Sequence, residues 1–463
     1  MSKVRKIVSL LLVMVLCLAF VGCNDGKTEQ PPQIEEDPYV SERDTAKKPE
    51  AVGGAADKYT FSEADLESLE GYTVVYPKGQ EQLRQAAVKL VNYLEANEIT
   101  VSLKSDDAAP TEKQILLGDV LGNKSSLKEN EYAVTLNGDK LLFESGNFNG
   151  VVKAVNWFIS KPYTKGKVNT LSGEYEFTSE VERPDGTYTF VWGDEFDGNT
   201  LDSAKWDLSS SISAGSTFKL SRDPAALRVE DGLLKLTAQR WFDPDNNQIQ
   251  AIAPYTVESK AHMNFQYGYM EMRARIPLRA GAWPSLWLSG ACSSGAVVSD
   301  IFKRGDIKPA NFSAEFDIVE YTSLQPNLHK WFYDDTKIEG VDKVEQDLRH
   351  SSLGAVETPV KSDLSLDPEQ SFVYQTVGFD WTPKELVIYI NGEEFYRYNW
   401  KESVQLDGFK DMTDFLNPAF VRLNSHLAPS NIPSDFSTLP AEFFIDYVRL
   451  YQKQGTGGIW LAE

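Results

Sequence analysis

From Tyr188 onward the chain reads as short aromatic-rich runs in which apolar and polar residues alternate, divided by turn residues. That period of two constrains the fold more than any other feature, because only a strand turns every second side chain to the same face. Residues 372–398 show it best. The runs 372–379, 386–390 and 394–398 are separated by 382–385 and by Asn391-Gly392, which predicts a three-stranded antiparallel meander. Many short strands with almost no helical signal predict a sandwich of two antiparallel sheets over residues 181–454.

Within that region, Ser313-Ala314-Glu315-Phe316-Asp317-Ile318-Val319-Glu320 alternates acidic with apolar residues. A strand puts Glu315 and Asp317 on one face and Phe316 and Ile318 on the other. Strict alternation would set Val319, not Glu320, beside the two acids. One extra residue, taken up as a β-bulge, returns Glu320 to the acidic face, and bulges recur next to active sites. Three carboxyls in a row are costly, since like charges raise one another's pKa. Glycoside hydrolysis uses such a pair, one carboxylate to attack the anomeric carbon and one acid to protonate the leaving oxygen. Alone, the pattern also fits the solvated face of any surface strand, so its surroundings matter.

Those surroundings are Trp-Gly-Asp-Glu-Phe-Asp-Gly (192–198), Leu201-Asp202, Lys205-Trp206, Tyr-Gly-Tyr-Met-Glu-Met-Arg (267–273) and Ala-Trp-Pro-Ser-Leu-Trp-Leu (282–288). After the acids come Val-Gly-Phe-Asp-Trp-Thr-Pro (377–383) and Phe-Ile-Asp-Tyr-Val-Arg-Leu-Tyr (444–451). In this order the set resembles glycoside hydrolase family 16, the laminarinase, agarase and carrageenase group, over about residues 185–453. The resemblance implies a jelly roll with a cleft across its concave sheet. It implies Glu315 as nucleophile, Glu320 as general acid and then base, and Asp317 as the residue that holds and tunes the nucleophile. It also implies that Trp283 and Trp287 line the cleft, that His329 and Trp331 touch sugar near the reaction centre, and that Asn424 faces the cleft. In a strand Trp283, Ser285 and Trp287 share a face opposite Leu286 and Leu288, which agrees.

The activity so implied is that of a retaining endo-β-glycanase on a polysaccharide, with no catalytic cofactor. The spacing Glu-x-Asp-x-x-Glu resembles the laminarinase and agarase side of the family, so a β-1,3-glucan is the expected substrate. Two departures keep a β-galactan open: Tyr333 stands where laminarinases often carry a second histidine, and Ala428-Pro429-Ser430-Asn431 replaces their Gly-Gly-Trp. A non-catalytic carbohydrate-binding lipoprotein and a surface adhesin are alternatives of other classes. Family members often bind a structural calcium, for which Glu195 and Asp446 are the candidates by position, and hard oxygen ligands suit that ion. His262, His350 and His426 have no zinc-ligand spacing among themselves or with cysteine.

The 463 residues leave room for a second domain. Residues 1–23 read as a secretory signal, with Lys3, Arg5 and Lys6 before an apolar run that ends Ala19-Phe20-Val21-Gly22-Cys23. That ending resembles a bacterial lipoprotein box, with Phe20 in place of the usual Leu, and makes Cys23 the expected lipidation site. An ordinary signal peptide is the alternative. The expectation is an exported cell-surface lipoprotein of a bacterium, or else a secreted protein. Residues 24–58 are rich in Pro, Glu, Asp and Lys and predict a disordered tether. Cys17 leaves with the signal and Cys292 has only Cys23 left to pair with, so no disulfide framework is expected.

Residues 59–180 predict a small α/β domain. Strands are expected at 72–76, 99–103, 114–117, 132–136 and 140–144, and helices at 80–97 and 150–160, with Asn137-Gly138 as a hairpin turn. The order resembles the auxiliary domain of some hexosaminidases and glucuronidases. It carries no acid pair and no phosphate loop, which predicts a spacer or docking module. A net charge of −22 disfavours nucleic acid and anionic membrane surfaces as partners. The partners expected are the polysaccharide and, through the lipid, the membrane, with the protein otherwise monomeric.

Overall fold

The computed structural model describes residues 58–210, 218–243, 248–278, 281–290, 312–320, 327–332, 349–352, 374–399, 418–428 and 432–462. The expected signal, Cys23, nearly all of the tether and Cys292 lie outside the described residues.

Alternating sequence becomes two facing antiparallel sheets. The nine-stranded sheet runs Asp207–Ser209, Thr256–Glu258, Ala419–Leu427, Ala282–Gly290, Phe312–Val319, Asn327–Phe332, Arg349–Ser352, with Met263–Gln266 and Gly458–Leu461 attached at the side. The eleven-stranded sheet is built around Ala441–Gln452, which lies between Leu233–Asp243 and Gly268–Arg275; Tyr374–Trp381, Glu385–Ile390 and Glu393–Asn399 follow as the meander. Its last hairpin turns on Asn391 and Gly392, with φ of 51° and 80°. Positive φ at both central residues is the turn that matches strand twist. One pairing, Phe218–Ser221 with Gln248–Pro254, is parallel.

The inner faces form one core. Leu286, Leu288, Phe316 and Ile318 from the first sheet meet Met270, Met272, Phe379 and Trp381 from the second, all buried. The Phe316 and Trp381 rings lie 5.2 Å apart, tilted at 55°. Each such side chain contributes about 1.5–3 kcal/mol by leaving water. The core therefore fixes which face of the strand Phe312–Val319 points outward.

Residues 58–174 form a seven-stranded mixed sheet and two helices, α1 (Glu81–Ala96) and α2 (Phe148–Ile159). In α1, Leu83, Ala86, Ala87, Leu90 and Leu94 make the buried stripe. Asn147 caps α2, its side chain accepting from the Gly150 N–H at 3.0 Å. Three details differ from the sequence reading. The edge strand Lys58–Asp65 and its neighbour Lys167–Glu174 pair along their whole length, though their polar composition gave little strand signal. The strand expected at 99–103 lies at Ser102–Ser105, because Ile99 is buried at the exit of α1, its N–H bonded to Leu94 O. The hairpin loop is Gly138-Asp139, with Asn137 already paired to Lys140 and φ of 59° at Gly138.

This α/β layer rests on the outer face of the eleven-stranded sheet. Phe190, Tyr269, Val387, Tyr389 and Tyr451 from that face join Phe143, Trp157 and Phe158 in one apolar cluster. Phe190 sits 5.1 Å from Phe177, 5.3 Å from Phe148 and 5.6 Å from Tyr451, ring to ring. Lys89 pairs with Asp202 at 3.0 Å, and Lys153 pairs with Asp197. A continuous core thus crosses the boundary drawn near residue 180, and Ala51–Glu463 packs as one unit. Among the described residues no helix is long and apolar enough to cross a membrane.

A shared core predicts shared unfolding. Circular dichroism and tryptophan fluorescence should report one coincident transition in denaturant, and Phe190→Ala should lower its free energy by about 3–5 kcal/mol. Two resolved transitions, with only one moved by the substitution, would show independent domains.

Candidate functional site

The strand Phe312–Val319 lies between Ala282–Gly290 and Asn327–Phe332. Leu288 faces Phe316 and Trp287 faces Asp317, but Leu286 faces Val319. Ile318 is the extra residue. Both Ile318 and Val319 enter the core, at 1% and 0% exposure, and Glu320 emerges half-buried. Glu315 is also half-buried and Asp317 is buried. Glu315, Asp317 and Glu320 therefore all belong to the outer face, opposite Phe316 and Ile318.

Asp317 carries the strongest perturbation there. Burial raises its pKa well above the ordinary carboxyl value, and the charge of Glu320 raises it further. The protonated form is favoured, so the middle acid of the row is the one best able to donate a hydrogen bond.

The neighbouring strands supply rings and polar groups. Trp287 is buried, and its indole N–H donates to Asn424 Oδ1 at 2.8 Å. Asn424 Nδ2 in turn donates to the Trp283 carbonyl at 3.4 Å. Trp283 is half-buried opposite His426, and Ser285 lies opposite Asn424. The structure brings Trp283, Trp287 and Asn424 to the same face as the acids. His329 and Trp331 stand opposite Glu315 and Ser313 by backbone register, and their side chains lie outside the described residues.

Two further residues of this face, Arg422 and Glu258, were missed in the sequence. The Arg422 guanidinium lies 4.3 Å over the Trp287 ring and donates to Glu258 Oε2 at 2.9 Å. Burial lowers the Arg422 pKa, against Glu258 and Glu315, which both favour its charge. The signal available was spacing alone, since Arg422 is two residues before Asn424 in an alternating strand. Glu258 follows only from a pairing of strands distant in sequence.

Glu195 and Asp446 do not fit a calcium site. Calcium takes six to eight oxygen ligands. Here Arg449 donates to both Glu195 oxygens, at 2.9 and 2.8 Å, and Asn149 donates to one of them at 3.0 Å. Asp446 is bonded by Arg273. Burial would raise Glu195, yet the Arg449 charge outweighs it and holds the carboxyl below its usual value. Two guanidinium groups already occupy the acids a divalent cation would need. Among the described residues no group of three His, Cys, Asp or Glu side chains is placed to hold a metal.

No family model matches the chain. Glucan endo-1,3-beta-glucosidase A1 of Niallia circulans is 22% identical over 292 residues, 57% of this chain and 38% of that protein. Glucan endo-1,3-beta-glucosidase of Cryptopygus antarcticus is 25% identical over 211 residues, 43% of this chain and 66% of that one. Beta-glucanase of Rhodothermus marinus is 23% identical over 280 residues, 57% of this chain and 85% of its own length. The chain thus spans less than two thirds of the first two relatives. The solved laminarinase catalytic domain of Thermotoga maritima superposes with a TM-score of 0.39 at 20% identity, over 58% of this chain and 99% of that one, a likeness too loose to bear on function.

The raised Asp317 pKa gives a stability test. The native state keeps a proton that an unfolded Asp releases near pH 4, so this group's contribution falls as pH rises from about 4 toward neutrality. Asn cannot ionise. The melting temperature of Asp317→Asn minus that of the parent should therefore increase from pH 4 to pH 7, and a flat difference across that range would remove the buried, protonation-favouring site.

Proposed function

We propose that the chain is a retaining endo-β-glycanase acting on a β-1,3-glucan. The observation that carries the reading is the bulged strand, with Glu315, Asp317 and Glu320 on one outer face beside Trp283 and Trp287. Glu315 attacks the anomeric carbon, Glu320 protonates the departing oxygen and then deprotonates the incoming water, and Asp317 positions Glu315 from between them. Tryptophan faces stack on the apolar faces of sugar rings. His329 and Trp331, by register, belong next to the bond that breaks. The sequence relatives are named as glucan endo-1,3-beta-glucosidases and a beta-glucanase, which supports the glucan over a galactan.

Geometry favours retention. Glu315 and Glu320 are five residues apart, and the extra Ile318 gives them an effective spacing of four, about 13 Å between Cα atoms at ~3.3 Å per residue. Two glutamates leaning together from one strand face can close to the ~5–5.5 Å that direct attack requires, whereas inversion needs ~6.5–9.5 Å for a water between them. We further infer export with a lipid anchor on Cys23, supported by the apolar run that ends there.

Laminarin should be cut internally and faster than agarose or carrageenan; faster release from agarose would move the substrate to a galactan and leave the chemistry in place. Proton NMR in the first minutes should show the β anomer first. Glu315→Gly should abolish turnover, and azide should restore cleavage of an activated glycoside as the inverted glycosyl azide. An α anomer appearing first would overturn both roles. Cys23→Ala should shift the protein from the membrane fraction to the medium or leave an uncleaved precursor, and unchanged membrane retention with normal processing would rule out lipidation.

A further inference from the structure

A cavity of about 720 Å³ opens between the α/β layer and the outer face of the eleven-stranded sheet. It is separate from the acidic face. Glu315 faces outward from the nine-stranded sheet, and the whole apolar core of the sandwich lies between the two places. Its size falls within the ~300–1,000 Å³ usual for ligand pockets. Tyr59, Trp157, Tyr175 and Tyr447 contribute rings to its wall, and Asn199, Ser160 and Lys161 contribute polar groups.

The mouth carries a second feature. Tyr59 and Phe61 lie two apart on the strand Lys58–Asp65, at the edge of the seven-stranded sheet, and so share a face. They remain 45% and 65% exposed, the largest exposures of any described aromatic side chain. Both rings nevertheless pack on Trp157, at centroid distances of 6.2 and 6.4 Å, so they are held in place rather than left loose. Fixed aromatic faces left in water beside a polar-rimmed cavity mark a binding surface.

The chemistry of the wall selects the ligand. Acidic side chains outnumber basic ones around the cavity; of its cations, Lys153, Arg228 and Arg449 are paired with Asp197, Glu230 and Glu195, and the Lys161 ammonium lies 5.4 Å over the Trp157 ring. Nothing there attracts a polyanion. A wholly apolar ligand would strip water from Asn199 and from the Lys153–Asp197 and Arg449–Glu195 ion pairs, and dehydrating polar and charged groups without new hydrogen bonds is unfavourable. A neutral saccharide satisfies both requirements, since its ring faces stack on aromatic side chains while its hydroxyls exchange hydrogen bonds with the rim. We propose that Tyr59 and Phe61, held in place by the buried Trp157, form the platform of a second, non-catalytic binding site for a neutral glycan chain. Such a site holds a polymer on the side of the molecule away from the acids and so raises the local concentration of cleavable chain. The choice of a β-1,3-glucan as its ligand rests on the reading of the acidic face given above.

The test uses the full chain. In a Glu315→Gln background, which prevents consumption of the ligand, calorimetric titration with laminarihexaose should give two sites per molecule. Tyr59→Ala with Phe61→Ala, both exposed positions, should leave one site and lower retention on insoluble β-1,3-glucan about tenfold, the equivalent of ~1.4 kcal/mol. In the active chain the same two substitutions should leave turnover of soluble laminarioligosaccharides unchanged. One site in the parent, or binding indifferent to the two rings, would overturn the proposal. Turnover of laminarin by the chain with both rings intact reports on the acidic face alone. Ring-dependent binding without turnover would refute the catalytic reading and keep this site; turnover with ring-independent binding would do the reverse.

Discussion

The outer face depends on one irregularity, the extra residue at Ile318. Strict alternation from Glu315 would send Val319 into water and Glu320 into a core made of Leu286, Leu288 and Trp381. An unpaired carboxylate there costs several kcal/mol, and an exposed valine forfeits about 1.5–3 kcal/mol more. A bulge loses a ladder hydrogen bond, worth only about 0.5–1.5 kcal/mol. Burial wins by a wide margin. The register slips where Val319 faces Leu286 and Asp317 faces Trp287, and three acids come to one side.

That crowding is relieved across the strands. Glu258, Arg422, Trp287 and Asp317 stand side by side on four adjacent strands, since each faces the next in register. Arg422 lies on the Trp287 ring and holds Glu258, and the charge of nearby Glu315 favours its guanidinium form. Asp317, between the two glutamates in sequence, takes the opposite course and favours its proton. A row with one cation beside it and one neutral member carries less repulsion than three carboxylates would. The three acids can therefore coexist on one face.

The sandwich was legible because its strands advertise themselves. The residues 372–398 alternate, and Asn391-Gly392 has the positive φ values its turn needs, so local chemistry and tertiary packing agree there. The bulge was legible too, from the mismatch between alternation and the position of Glu320. What escaped was non-local. Lys58–Asp65 is a strand because Lys167–Glu174 pairs with all of it, not because its own residues favour the state. Arg422 and Glu258 meet through two strands more than 160 residues apart in sequence. The ion pairs of Glu195 and Asp446 escaped for the same reason, because Arg449 and Arg273 lie 254 and 173 residues from them in sequence.

Arg449 shows why the α/β layer and the sandwich form one body. It sits in the strand Ala441–Gln452, buried, with its guanidinium 3.6 Å over the Tyr447 ring. It holds Glu195, just after the strand Gly186–Asp194, and donates to the Glu176 carbonyl at 2.6 Å, just past the last strand of the α/β layer. Asn149, from α2, completes the set by bonding the same carboxylate. One charge thus ties together both layers and the chain segment that links them. A buried charge is tolerated only when its donors are engaged, and here the engaging groups come from both sides of the junction. Removing the α/β layer would strip Asn149 and Glu176 from the cluster and expose Phe190, Tyr269 and Tyr451 at once. The layer has no acidic pair of its own, yet the outer face of the eleven-stranded sheet is composed as an interior surface, and that composition makes sense only with the layer in place.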